Sequence, residues 1–196
     1  MASMLRKAAI VLAAGLVLGS SSGCFTAAGQ AYQSIKGADG RVWMHQPIKP
    51  PLYRFTTVRI EKFGCEMEGG VPSAILQQLE PTIKQYLLEE ALVKNVEIGE
   101  SGGAGTDDSS VLVLRGVMID YDPGAAAGRL FGVSGERFLT ARVHFLDGRD
   151  GSVLGVGHIA GVVKGEIGRD MLDTCKGMAK GIAGVLEDAK IKREAP

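Results

Sequence analysis

The stretch 111–165 constrains this chain more than any other. It reads VLVLRGVMIDYDPG, then AAAGRLFGVSGERF, then LTARVHFLDGRDGSVLGVGHIAGVVKG. Two strand-like segments flank a glycine-rich loop, and a third follows the turn DGRDG at 147–151, whose residues are strong turn formers. The pattern predicts an antiparallel meander of three strands, 111–121, 138–146 and 152–164. In the first, Leu112, Leu114, Gly116 and Met118 share one face, and Val111, Val113, Arg115, Val117 and Ile119 share the other. Its near-continuous hydrophobicity implies a central strand. In the second, Leu139, Ala141, Val143 and Phe145 face a core while Thr140, Arg142 and His144 face away. In the third, Gly155, Gly157 and Gly161 fall on one face, which suits a helix lying close across it.

The flanking segments complete a small domain. YRFTTVRIEKF at 53–63 reads as a strand, and 64–70, which holds Cys65, as a turn. Residues 72–92 read as a helix with the stripe Ile75, Leu79, Ile83, Tyr86, Leu87 and Ala91. Pro81 falls inside it, so a kink or two shorter helices is expected. A strand at 96–100 follows after a short link, which predicts parallel pairing through a right-handed crossover. The last helix, 169–190, carries Met171, Leu172, Cys175, Met178, Ile182, Val185 and Leu186 on one stripe. Gly177, Gly181 and Gly184 each cost about 1 kcal/mol against Ala in a helix interior, which points to a close neighbour. The expected fold is α+β in two layers: a mixed, mostly antiparallel sheet of about five strands with two helices on one face.

The N-terminus carries an address. Arg6 and Lys7 precede the apolar run AAIVLAAGLVL at 8–18, and GSSSGC follows at 19–24. A charged start, a short apolar run and small residues make a signal peptide. About 11 residues at 1.5 Å each fall well short of a hydrocarbon core about 30 Å thick, so the run does not read as a membrane span. Residues 25–52 are aperiodic and close on Pro47, Pro50 and Pro51, which reads as a tether that includes Trp43 and His45. The expected organisation is a signal peptide at 1–23, Cys24 with a tether at 24–52, and one domain at 53–192. The whole chain has 22 basic and 22 acidic residues. Without Arg6 and Lys7 the balance is slightly negative, which argues against a nucleic-acid partner, since that needs a basic face to neutralise phosphates.

Two resemblances add to this. Ser22-Gly23-Cys24 resembles the end of a bacterial lipobox, although Ser21 stands where an apolar residue is usual. The resemblance implies that Cys24 becomes the first mature residue and carries acyl chains, giving the protein its membrane partner. Phe25, in place of an Asp, then favours the outer membrane, facing the periplasm. In the domain, Tyr121-Asp122-Pro123-Gly124, Gly128-Arg129, Gly132, Gly135, Asp147 and Gly151 occur in an order that resembles the bacterial lipoprotein family known as domain of unknown function 4410. That resemblance implies an α/β lipoprotein domain in the cell envelope and brings no catalytic residues with it.

No constellation of catalytic residues stands out, and neither a cofactor nor a metal is expected. Mirror counting about the turn at 147–151 sets His144 opposite Leu154 and leaves His158 about 13 Å out of register at roughly 3.3 Å per residue, so the two do not form a ligand pair. Arg142 with His144 could line a ligand face. Gly128, Arg129, Leu130 and Phe131 lie in a loop without the Lys-Ser/Thr of a phosphate-binding loop, and no helix follows it. They read instead as a recognition loop for a protein partner. Cys65 and Cys175 invite a disulfide in an oxidising envelope, but the topology sets them at separate levels, beyond the roughly 7 Å that a bridge allows. The leading expectation is a non-enzymatic envelope lipoprotein that binds a partner or supports an assembly. The competing one is a small-ligand carrier or hydrolase using Arg142 and His144.

Overall fold

The computed structural model describes residues 38–100, 108–124, 136–163 and 172–191. In chain order its elements are β1 (Ala38–Gln46), β2 (Thr57–Ile60), β3 (Gly64–Cys65), α1 (Ser73–Glu89), β4 (Asn95–Ile98), β5 (Val111–Asp122), β6 (Arg137–Asp147), β7 (Val153–Val163) and α2 (Asp173–Asp188). One sheet runs β1-β7-β6-β5-β2-β4, and β3 pairs with β5. The meander β5-β6-β7 is antiparallel. β2 lies parallel to both β4 and β5, so α1 is the crossover between parallel neighbours.

The sheet is buried on the face that carries the helices. Leu112, Leu114, Met118, Leu139, Ala141, Val143 and Phe145 meet Ile75, Leu79, Ile83 and Leu87 of α1 and Met178, Ile182 and Leu186 of α2 in one core. Strand periodicity supplies one half of that core and helical spacing the other. The inward and outward assignments for β6 hold residue by residue, and the architecture is the expected α+β two-layer type.

Five expectations need correction. The stretch 38–46 is no tether: it forms β1, the edge strand, paired antiparallel with β7 from Ala38↔Val163 onward. β2 is far shorter than 53–63, and Gly64 and Cys65 extend beside β5 rather than turning. α1 passes through Pro81 as one helix. The proline penalty is about 3 kcal/mol, while Ile75, Leu79, Ile83 and Leu87 are fully buried on both sides of it, each worth about 1.5–3 kcal/mol. Packing therefore wins over the local defect. Ala91 leaves the stripe, standing exposed after the helix at φ 50°. The cysteines stand as the topology implies: Cys65 is exposed and Cys175 buried, and no disulfide joins them.

The glycines of β7 and α2 explain one another. A Cβ on Gly161 would overlap the Thr174 carbonyl oxygen, and one on Gly177 would collide with the Asp39 carbonyl oxygen and approach Gly161 Cα at 2.9 Å. The helix therefore rests on the strand backbones, over the seam between β1 and β7.

Candidate functional site

The other face of the sheet carries no described helix; it buries a small cluster of Val111, Val113 and Leu146 and carries a set of charged pairs and histidines. Its rows follow from the register. Trp43, His158, Arg142 and Val117 stand in line across β1, β7, β6 and β5, and Val156, His144 and Arg115 form the adjacent row.

Each arginine of this face meets a carboxylate. Arg142 donates from Nη2 to both Glu66 oxygens at 2.7 and 2.8 Å. Arg115 is held by two bonds to Glu61. Arg59 donates to both Asp108 oxygens at 2.6 and 3.2 Å and reaches Glu97 at 3.3 Å. Arg41 donates to Glu136 at 2.8 Å. Hydrogen bonding to the Asp108 carboxylate holds the Arg59 guanidinium above its ordinary pKa, and Glu61 does the same for Arg115. Among the described residues the face is thus a lattice of neutralised pairs rather than a field of one sign.

The histidines behave otherwise than mirror counting implies. His144 pairs with Val156, and His158 with Arg142, because the turn centres half a residue beyond Arg149 and the β6–β7 ladder shifts by one more residue between Phe145 and Leu146. His158 also meets His45, which stands at an irregularity of β1, with ring centroids 4.3 Å apart and planes at 82°. The His158 pKa is lowered, chiefly by burial, then by His45 and by Arg142. The His45–His158 contact joins two residues 113 positions apart in sequence. It is invisible while 38–46 reads as a tether. The usable signal is alternation: Ala38, Gly40, Val42 and Met44 on one face against Asp39, Arg41, Trp43 and His45 on the other.

Of the residues singled out by sequence, Arg142 and His144 lie on this face as neighbours along β6, with Arg142 occupied by Glu66 and both partners of that pair open to solvent. Cys24 and the loop residues Gly128, Arg129, Leu130 and Phe131 lie outside the described residues. Among the described residues, no group of three or more His, Cys, Asp or Glu side chains is placed to hold a metal ion.

The architecture is that of an open mixed sheet with two helices on one side. PelC from Paraburkholderia phytofirmans, a dodecamer, has it too: the match gives a TM-score of 0.52 at 16% identity, covering 75% of this chain and 96% of that one. A variant of PelC in another crystal form gives 0.51 at 16% identity with the same coverage. At that identity the likeness is one of fold alone. Lipoprotein GNA1162 from Neisseria meningitidis aligns at 0.39 and 11% identity, over 68% of this chain and 96% of that one, too loosely to carry an argument. No protein-family profile and no curated protein sequence matches the chain.

Proposed function

We propose that this chain is a bacterial envelope lipoprotein, anchored through acylated Cys24 in the outer membrane and facing the periplasm, that acts by binding a protein partner or supporting an assembly. The observation that carries the reading is the sequence Ser22-Gly23-Cys24 directly after a charged and apolar leader. Acyl chains at about 0.8 kcal/mol per buried CH₂ supply an anchor, and no described helix is long and apolar enough to cross a membrane. Against the competing reading of a ligand carrier or hydrolase stands the Arg142–Glu66 pair: the guanidinium already holds a carboxylate through Nη2, on a solvent-exposed face. The loop residues Gly128, Arg129, Leu130 and Phe131 are the proposed partner contact. The fold that PelC assembles as a dodecamer is one compatible with life in an assembly. Cys24→Ser is expected to abolish palmitate labelling and to move the protein from the membrane to the soluble fraction; unchanged labelling and fractionation would sink the anchor.

A further inference from the structure

The two edges of the sheet are unequal. β4 has four residues, a short edge of the kind that resists pairing with other chains. β1 has nine, and neither Lys nor Pro interrupts it. Along β1 and α2 runs a groove of about 310 Å³ whose lining includes Val42, Met44, Ile48, Gly184 and Val185, with Lys180 and Asp188 beside them. Val42 remains 37% exposed there. A Cβ at Gly184 would meet nothing within 4 Å, so this helix position opens onto free space while Gly177 and Gly181 are pressed on the strands.

We infer that this edge and groove dock a second copy of the chain, across a two-fold axis passing near Val42 and Gly184. Charge complementarity selects that occupant. Lys180 and Asp188 lie four residues on either side of Gly184, two helical turns or about 12 Å apart, so they cannot meet within one chain. Two α2 helices laid antiparallel about Gly184 bring the lysine of each copy to the aspartate of the other. Lys180 Nζ donates to the Ala38 carbonyl oxygen at 2.9 Å, which leaves two of its three protons for a carboxylate.

The strand geometry agrees with the helix geometry. α2 sits over the seam of β7 and β1, since Gly177 faces both Asp39 and Gly161, and Gly181 faces both Ile159 and Val42. Pairing β1 with its copy at the usual spacing of roughly 4.8 Å sets the two helices about 10 Å apart, within the range at which helices pack. One rotation therefore extends the sheet, fills the groove and pairs both charges. The contact is isologous, with the same surface on each copy. It needs no acyl group, so its fate is separate from that of the Cys24 anchor.

The test is oxidative cross-linking of the full chain in cell envelopes, in a Cys65→Ser background. Gly184→Cys is expected to give a disulfide-linked dimer, and Ile98→Cys, at the exposed end of β4, is expected to give none. Adding Lys180→Glu should lower the Gly184→Cys dimer yield about tenfold, as loss of a close interfacial charge pair does. Adding Asp188→Lys as well should restore it, because reversal of both charges re-forms the pairs only between copies. Absence of the dimer, equal cross-linking at Ile98→Cys, cross-linking to a different protein, or no rescue by the double reversal would each overturn the inference. The same assay on Cys24→Ser separates the two proposals: loss of the anchor changes where the protein fractionates, not whether Gly184→Cys cross-links.

Discussion

Gly161 shows how one missing side chain sets the distance between two elements. The Thr174 carbonyl oxygen and the Met178 amide nitrogen occupy the space its Cβ would need, and both are backbone atoms that cannot rotate aside. Gly161→Ala is therefore expected to destabilise the fold by about 2–3 kcal/mol, as overpacking does, read as a lower urea midpoint with an unchanged slope. Part of this is legible in the sequence: Gly161, Gly177 and Gly181 meet the close approach their positions ask for, whereas Gly155 and Gly157 lie against Ile48 and Met44 rather than a helix, and Gly184 has no neighbour within 4 Å. The histidines are not legible, since pairing of His45 with His158 depends on a strand order that local pattern does not contain. His158 gives a second prediction. With its pKa lowered by burial, His45 and Arg142, the unfolded chain takes up a proton more readily than the folded one. The stability present above about pH 6.5, the ordinary imidazole value, is lost as the pH falls through the lower folded-state value. Melting temperature should therefore drop between pH 7.5 and 5 more in the native chain than in His158→Gln; equal drops would remove His158 as a cause.

Among the elements, α1 is fixed by a polar clamp as well as by its stripe. The buried Glu80 carboxylate accepts the Phe63 amide N–H at 2.8 Å, tying the helix to the chain leaving β2. Phe63 in turn lies over Gly116 of β5, where a Cβ would run into the ring. Glu80→Ala leaves that N–H without its acceptor in a buried site and is expected to cost about 1–3 kcal/mol, while Glu80→Gln, which keeps an acceptor oxygen, costs less; chemical denaturation of the two variants separates them. Helical spacing places Ile75, Leu79, Ile83 and Leu87 inward. Nothing in that spacing announces a buried acid one residue from a proline. Pro81 misleads in the opposite direction, because a local propensity is outweighed by burial that only the assembled sheet provides. β2 is short for a related reason: its central place between two parallel neighbours needs only the four residues that reach both.

For the whole molecule, the meander and the parallel crossover follow from sequence, because each is set by the order and spacing of neighbouring segments. The closing strand does not. β1 is the first described element yet pairs with the last strand, and Ala38 and Gly40 are poor strand formers, Gly40 kept small because α2 lies on it. The residues that weaken its strand signal are thus the ones its packing requires. The candidate site inherits this difficulty, since the row that begins with Trp43 is complete only once β1 is in place.

That position of β1 has a mechanical consequence. In a chain held at its N-terminus, tension enters the domain at Ala38, the outer end of an antiparallel ladder whose partner residue there is Val163. An edge strand pulled from its end is peeled one rung at a time rather than sheared across all rungs together. Here the first rung is reinforced, for Lys180 holds the Ala38 carbonyl and Gly177 lies against that of Asp39. Force applied at that end would be passed at once from strand to helix, so that α2 and the sheet take up the load together.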